Sequence, residues 1–347
     1  VRRGGAVALA AGLAAGPIVA CSGRRSGPPP GAPIAGIEEA SGVIRVGSRL
    51  LVVGDHEPGT YYSLDLEPGE TGRIRLRPDR LRRHRIGGGP YAMDLEAIDV
   101  LADGRIVILS ERMSALLDST GPVAVYGRDL AEVGGRGCEG LAVRPLPGGA
   151  SRVAVLWEGG YPEAASLPRL FRDRAGGRAA APTVVVHDIP AGASGLDVGP
   201  AEARRIELRV PLPAGVEPYA QRFRAPDLVW HRLDPDDDAS WGFVVLLSSG
   251  WGRQPDAGTD AECPKIVNGR PLRWCYKWLQ RFTTSGEPVG DPFDLDGVLP
   301  GALTHVNWEG MGWFVPGESV VLVYDERVAE RTVDPQEAIV VPLPAGW

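Results

Sequence analysis

An all-β fold is what this 347-residue chain predicts, and three observations carry that prediction. A two-armed pattern recurs five times, its first arm opening on an acid: Glu39 to Val43, Glu96 to Val100, Glu139 to Val143, Asp227 to His231 and Glu309 to Trp313. The second, more apolar arm follows each time: Arg49 to Asp55, Arg105 to Glu111, Arg152 to Glu158, Gly242 to Ser248 and Ser319 to Asp325. Between the arms lie hairpin-forming residues, such as Ala102-Asp103-Gly104, Pro147-Gly148-Gly149 and Pro316-Gly317. The third observation is composition: 47 glycines and 32 prolines suit many short strands joined by turns. Hairpins repeated at this scale form a β-propeller, a ring of antiparallel four-stranded sheets around a channel.

Taken in order, each unit has an inner strand that starts at the acid, a turn, and the apolar arm returning beside it. Less regular outer strands are predicted at Tyr61 to Leu66, Arg73 to Arg77, Val123 to Tyr126, Thr183 to His187, Arg204 to Val210, Tyr276 to Phe282 and Ala338 to Val341. Spacing is wider after Glu139 and after Asp227, so each long step holds either an insertion or an eroded blade. Strand-like stretches fill much of those steps, which favours five blades over six. One propeller domain over 37–347 follows.

Residues before 37 read differently. Arg2-Arg3, an apolar run from Gly4 to Ala20 and then Ile18-Val19-Ala20-Cys21 describe an export signal over 1–21. Ile-Val-Ala-Cys resembles the bacterial lipobox, whose cysteine, here Cys21, becomes lipidated; a plain signal peptide or an uncleaved anchor is the alternative. Residues 22–36 are a Gly/Pro/Arg-rich tether. The expectation is an exported monomer that meets the membrane through its lipid anchor alone. An oxidising compartment would allow Cys263 and Cys275 to pair. Cys138 would then be left as a small buried residue.

A net charge of -7 excludes nucleic acid as the main partner. Also missing are a nucleophile elbow, a zinc-protease helix, a P-loop and a dinucleotide fingerprint, which removes the usual support for those chemistries.

In an antiparallel blade the first strand begins, and the second ends, on one face of the disc. Glu39, Glu96, Glu139, Asp227 and Glu309 are thereby expected beside Asp55, Glu111, Glu158, Ser248 and Asp325. Long connections after two second arms, 159–182 and 251–274, emerge on the same face, and long loops over a rigid scaffold are where binding sites arise. Strand alternation places Glu96 on the side of Ile98 and Val100, Glu139 with Leu141 and Val143, and Glu309 with Met311 and Trp313. A carboxylate in such surroundings needs compensation. Backbone N–H groups of the next blade would make it a structural latch, an arginine would make it an ion pair, and a shared cation would most suit Ca²⁺.

Secondary candidates surround this set. Acid and arginine adjoin at Glu111-Arg112 and at Asp325-Glu326-Arg327, as a solvated ion pair or part of an anion site. Arg73, Arg75 and Arg77 alternate with Ile74 and Leu76 like a half-exposed outer strand, in a basic run that continues through Arg80, Arg82, Arg83 and Arg85; an anion-binding edge is the alternative. Trp251 and Trp274 could stack on a sugar or other flat ligand, while Trp230 and Trp313 read as core. His305 reads as a structural histidine, and the acidic loops 234–238 and 291–296 as turns without a full EF-hand spacing.

The motifs Glu38-Glu-Ala-Ser-Gly-Val43, Asp94-Leu-Glu-Ala-Ile98 with Ile108-Leu-Ser-Glu-Arg112, Gly137-Cys-Glu-Gly-Leu141 and Asn307-Trp-Glu-Gly-Met311 resemble the exported bacterial propellers of the phytase-like ("esterase-like activity of phytase") group. The resemblance covers roughly 37–347 and departs at blade four, where Asp227 and Ser248 stand at the acid positions. It implies a Ca²⁺-dependent phosphomonoesterase, with Glu39, Glu96, Glu139, Glu309, Asp55, Glu111 and Asp325 as metal ligands. Arg112 and Arg327 would clamp phosphate. Such phytases also use lysines, and the two lysines here, Lys265 and Lys277, lie far from the motifs in sequence. Two functions therefore stand open: a cell-envelope binding module for an anionic small molecule, sugar or envelope protein, or a metal-dependent phosphoesterase.

Overall fold

The second arm of every repeat is apolar at consecutive positions because both of its faces are buried. In the first repeat Leu50 and Val52 enter one core cluster, and Leu51 and Val53 enter the next. A computed structural model describes residues 37, 39–54, 57–87, 92–127, 137–158, 181–211, 223–250, 266–267, 270–271, 274–299, 306–325 and 337–347.

Five hydrogen-bonded sheets are the blades. Blade one is β1 (Ala40–Val46), β2 (Arg49–Gly54), β3 (Thr60–Asp65) and, after an excursion through β4 (Arg73–Arg75), β5 (Leu81–Arg85). Blade two is β6 (Leu95–Val100), β7 (Ile106–Ser110), β8 (Ala115–Asp118) and β9 (Gly121–Tyr126). Blade three is β10 (Cys138–Pro145), β11 (Ser151–Trp157), β12 (Thr183–Ile189) and, after β13 (Leu196–Val198), β14 (Arg204–Glu207). Blade four has β15 (Phe223–Arg232) and β16 (Trp241–Gly250); past a short hairpin of β17 (Ile266–Val267) and β18 (Arg270–Pro271), it ends with β19 (Trp274–Thr283) and β20 (Pro288–Asp294). Blade five is β21 (Asn307–Val315), β22 (Ser319–Asp325) and β23 (Glu337–Pro342), with β4 on its outer edge.

The ring closes on itself. β1 packs on β6 and β21, β10 on β6 and β15, and β15 on β21, so the five inner strands form an unbroken circuit. Five apolar clusters fill the five gaps between neighbouring blades. The protein is a five-bladed β-propeller, and the wide sequence steps are insertions.

Two outer-edge strands come from the adjacent blade. β4 leaves blade one to pair antiparallel with β23, joining the first repeat to the last. Its Ile74 is fully buried and Arg73 Nε donates to Glu337 Oε2 at 2.8 Å. The predicted Arg73–Arg77 strand is thus shorter than expected and belongs to blade five. Similarly β13 leaves blade three and pairs parallel with β9 of blade two. Arg82, Arg83 and Arg85 of the basic run lie on the outer strand β5, with Arg82 paired to Asp65 at 2.7 Å.

Candidate functional site

The inner strands do not repeat in the register the acids suggest. Near its start each one carries a β-bulge: between Ala40 and Gly42, Leu95 and Ala97, Cys138 and Gly140, Arg224 and Asp227, and Trp308 and Gly310. Aligned by cross-strand partners, Glu96, Glu139 and Glu309 occupy the bulge of blades two, three and five, where blade one has Ser41. Glu39 lies two residues earlier, with a left-handed φ of 51°. Asp227 lies one residue later, at the position held by Gly42, Ala97, Gly140 and Gly310. Five equivalent acids are therefore three. The extra residue also breaks the two-residue alternation expected between Glu96, Glu139 or Glu309 and the strand that follows.

At the Asp227 position the other blades use small residues for a steric reason. A Cβ on Gly140 would lie 2.8 Å from Asp227 Cα, and one on Gly42 would lie 2.6 Å from Ala97 Cα. Blade four instead sends a carboxylate into the wall. Asp227 Oδ1 accepts from the N–H groups of Leu228 at 2.8 Å and Leu141 at 3.2 Å, while Oδ2 accepts from Met311 N–H at 2.7 Å. One buried side chain thus ties blades three, four and five together, the latch expected of an acid compensated by main-chain donors. Asp99 forms a second latch, accepting from its neighbour Val100 N–H and from Val143 N–H of blade three, both at 2.6 Å. Burial pushes Asp227 well above the usual carboxylate range and Asp99 up to about 7, against the pull of these amides.

The bulge acids gather at the mouth where the inner strands start. Burial, then the nearby charges of Glu158 and Glu96, push Glu139 well above the usual carboxylate range; Arg224 opposes them and Glu111 adds to them. Glu111 and Glu158 follow the second arms of blades two and three, and the Glu111 N–H donates to Asp94 O at 2.9 Å. Arg224 is a cation of this cluster. Its two terminal nitrogens bind Glu309 Oε1 and Oε2 at 3.0 and 2.6 Å, and its Nε pairs with Glu158. Asn307 also donates to Glu309. Sequence reasoning missed Arg224, whose signal was its position three residues before Asp227 on a strand otherwise apolar toward the core.

Arg224 does not stand alone on its sheet. Its cross-strand partner is Ser248, and the partner of Ser248 on the next strand is Lys277. Directly opposed residues share a face, so Arg, Ser and Lys form one row across blade four. Lys277 is fully buried and reaches Asp296 at 3.4 Å. Although Lys277 is far from the motifs along the chain, it stands only two strands from Arg224. Ser248 Oγ, also buried, has no hydrogen-bond partner among the described residues.

Other predicted residues are placed as follows. Glu39 is partly buried at the head of β1, and Arg112 is exposed in the turn after β7. Asp325 closes β22 opposite Asn307, and Trp274 opens β19 opposite Gly250; the side chains of both, like that of Cys275, lie outside the described residues. So do Cys21, Asp55, Trp251, Cys263, His305 and Arg327. Cys138 is a buried free thiol, pushed well up by burial and then by Glu139. Loop 234–238 is a pair of side-chain-capped turns, Asp234 accepting from Asp236 N–H and Asp237 from Ala239 N–H. Among the described residues no group of three His, Cys, Asp or Glu is arranged to hold a metal ion.

No protein-family profile matches the chain, and no curated protein does. Solved structures similar in fold include a streptogramin B lyase (10% identity, 89% of this chain and 95% of that one, TM-score 0.38). A thermostable family-43 glycoside hydrolase (9% identity, 90% and 91%, TM-score 0.42) and a putative gluconolactonase (9% identity, 88% and 89%, TM-score 0.35) are further examples. At these scores they carry no argument about activity. The propeller rests on the strand order itself.

Proposed function

We propose that this chain is an exported, lipid-anchored binding module of the cell envelope whose ligand site is the acidic mouth, where Ca²⁺ bridges the carboxylates to an anionic ligand. Supporting the reading is one observation: Glu139 sits among Glu158, Glu96 and Glu111, with Arg224 set against them. Carboxylates crowded in this way need either protons or a further cation, and hard oxygen donors favour Ca²⁺. The described acids do not by themselves make a coordination shell, so the ligand supplies oxygens to it. Export and lipidation rest on the Arg2-Arg3 start, the apolar run and the Ile-Val-Ala-Cys sequence.

Calorimetric titration of metal-stripped protein with Ca²⁺ tests this. Expected are saturable binding below millimolar, a raised melting temperature, and loss of both in Glu139→Gln. Absence of binding, with Glu139→Gln changing stability alone, would leave the mouth acids as structural groups and overturn the proposal. A second reading, a phosphoesterase like the phytase-like group, draws support from the Arg224–Ser248–Lys277 row, which sets a second cation in register with Arg224 on blade four. Ca²⁺-dependent release of phosphate from an aryl phosphate, lost in Lys277→Met, would select it.

A further inference from the structure

The channel's other end is built of different material. From mid-channel to the far face runs a cavity of about 660 Å³, walled by Ile98, Leu141, Val229 and Met311 and by four tryptophans, Trp230, Trp241, Trp313 and Trp347. That volume is ordinary for a small-molecule site. The inner strands end here, so it lies across the disc from Glu139. Its aromatic walls are held in place: Trp313 Nε1 donates to Trp230 O at 2.8 Å, and Trp241 Nε1 to Asp238 O at 2.9 Å.

At the rim stands Arg144, next in sequence to the latched Val143. Its guanidinium lies over Trp241 at 4.5 Å and over Trp230 at 5.2 Å. Among the described residues it has neither a carboxylate within ion-pair distance nor a hydrogen-bond acceptor, and its Nε is buried. The acid nearest in charge, Asp188, is held by both forks of Arg152 at 2.7 and 2.8 Å. A half-buried guanidinium stacked on two indoles and lacking an anion is costly unless a ligand supplies one.

The remaining charged groups fit the same occupant. Arg232 also lies over Trp241, at 5.5 Å, and is paired with Asp238. Arg45, outside the cavity's lining, lies over Phe314 and donates to its carbonyl oxygen. Asp99 lines the cavity with its oxygens accepting from two amides, and Asp227 is buried in its latch. His231 is buried in the wall and pushed down to about 4 by burial, so it is neutral near pH 7.

We infer that this cavity is a second ligand site, distinct from the acidic mouth, for a small organic anion: an apolar or aromatic body between the tryptophans, with a carboxylate or sulfonate on Arg144. The body displaces water from the indole faces, and the anion completes the guanidinium's fork. Recognition is thus split between an apolar channel and a cationic rim.

Three probes of one shape test it by calorimetry: 1-naphthoate, 1-naphthalenemethanol and 1-naphthylmethylamine. The acid is expected to bind the wild-type chain with a Kd of about 0.1 mM or tighter. Arg144→Gln should weaken the acid about tenfold and the alcohol less than twofold, while Arg144→Lys restores part of the loss. Because Arg144 lies at the rim, both variants should melt near the wild-type temperature. Tighter binding of the amine than of the acid, equal losses for acid and alcohol, or no binding of any probe at millimolar concentration would each overturn the inference. None of these outcomes bears on Ca²⁺ at the opposite mouth.

Discussion

Asp227 Oδ2 accepts the backbone N–H of Met311 at 2.7 Å, across the joint between the fourth and fifth blades. The same carboxylate's other oxygen serves Leu141 of blade three, so its geometry is fixed from both sides. An acid at the head of an inner strand can be a seam of the ring, and this one is.

Asp227→Asn should destabilise the protein by about 1–3 kcal/mol, because an amide nitrogen then faces a buried main-chain N–H. Denaturant unfolding measures it. Unchanged stability would mean the latch contributes nothing to holding the ring.

Gly140→Ala should cost about 1–3 kcal/mol through overpacking, since the new methyl would lie 2.8 Å from Asp227 Cα and 2.9 Å from its Oδ1. The control is Gly104→Ala in the turn before β7, where nothing lies within 4 Å but φ is +87°. That variant isolates backbone strain, of order 1 kcal/mol. A Gly140 loss no larger than the control's would rule out inter-blade crowding.

The pH response carries opposing contributions whose signs can be worked out. Asp99, raised from 3.8 to about 7, binds its proton more tightly when folded, so its contribution is present below about pH 4 and is lost as pH rises toward 7. His187 and His231, lowered from 6.5 to about 4, do the reverse: stability from them grows between about pH 4 and 6.5. Asp99→Asn removes the falling contribution. Stability at pH 7 relative to pH 4.5 should therefore rise in the variant compared with wild type, whatever the variant's absolute loss. Parallel pH profiles for the two proteins would contradict the assignment.

Arg224→Gln should be the most damaging change at the mouth, costing about 3–5 kcal/mol, because it takes their shared cation from the buried Glu158 and the partly buried Glu309. Arg112→Gln, on an exposed turn, should change stability by less than about 0.5 kcal/mol. Thermal melts of the two variants side by side decide it. Similar small losses would show that Arg224 is not the group neutralising the cluster.

Much of the scaffold was legible because its signals are local. Leu50 to Val53 and Val153 to Trp157 are apolar without a break because both faces of a propeller strand are covered, and the turns between arms carry their own glycines and prolines. The site was less legible. Glu139 and Glu309 were visible as motif acids, but their bulges were not, and a single inserted residue reverses which side a strand residue faces. Glu39 and Asp227 matched the motif in type and fell out of register with it. Arg224 and Lys277 looked like stray basic residues, since nothing along the chain shows that Ser248 stands between them.

By itself, the sequence determined the hairpins, the number of repeats and the supply of carboxylates, all of which depend on residues within a few positions of one another. Only the tertiary structure decided which acid became a latch, which met an arginine, which strand left blade one to close blade five, and that Arg144 faces tryptophans at the far end of the channel. The physical reason is that these roles depend on where separate strands stand in a closed ring. A shift of one residue at a bulge, or one strand handed to a neighbouring edge, changes the partner of a charged group without changing any pattern along the chain.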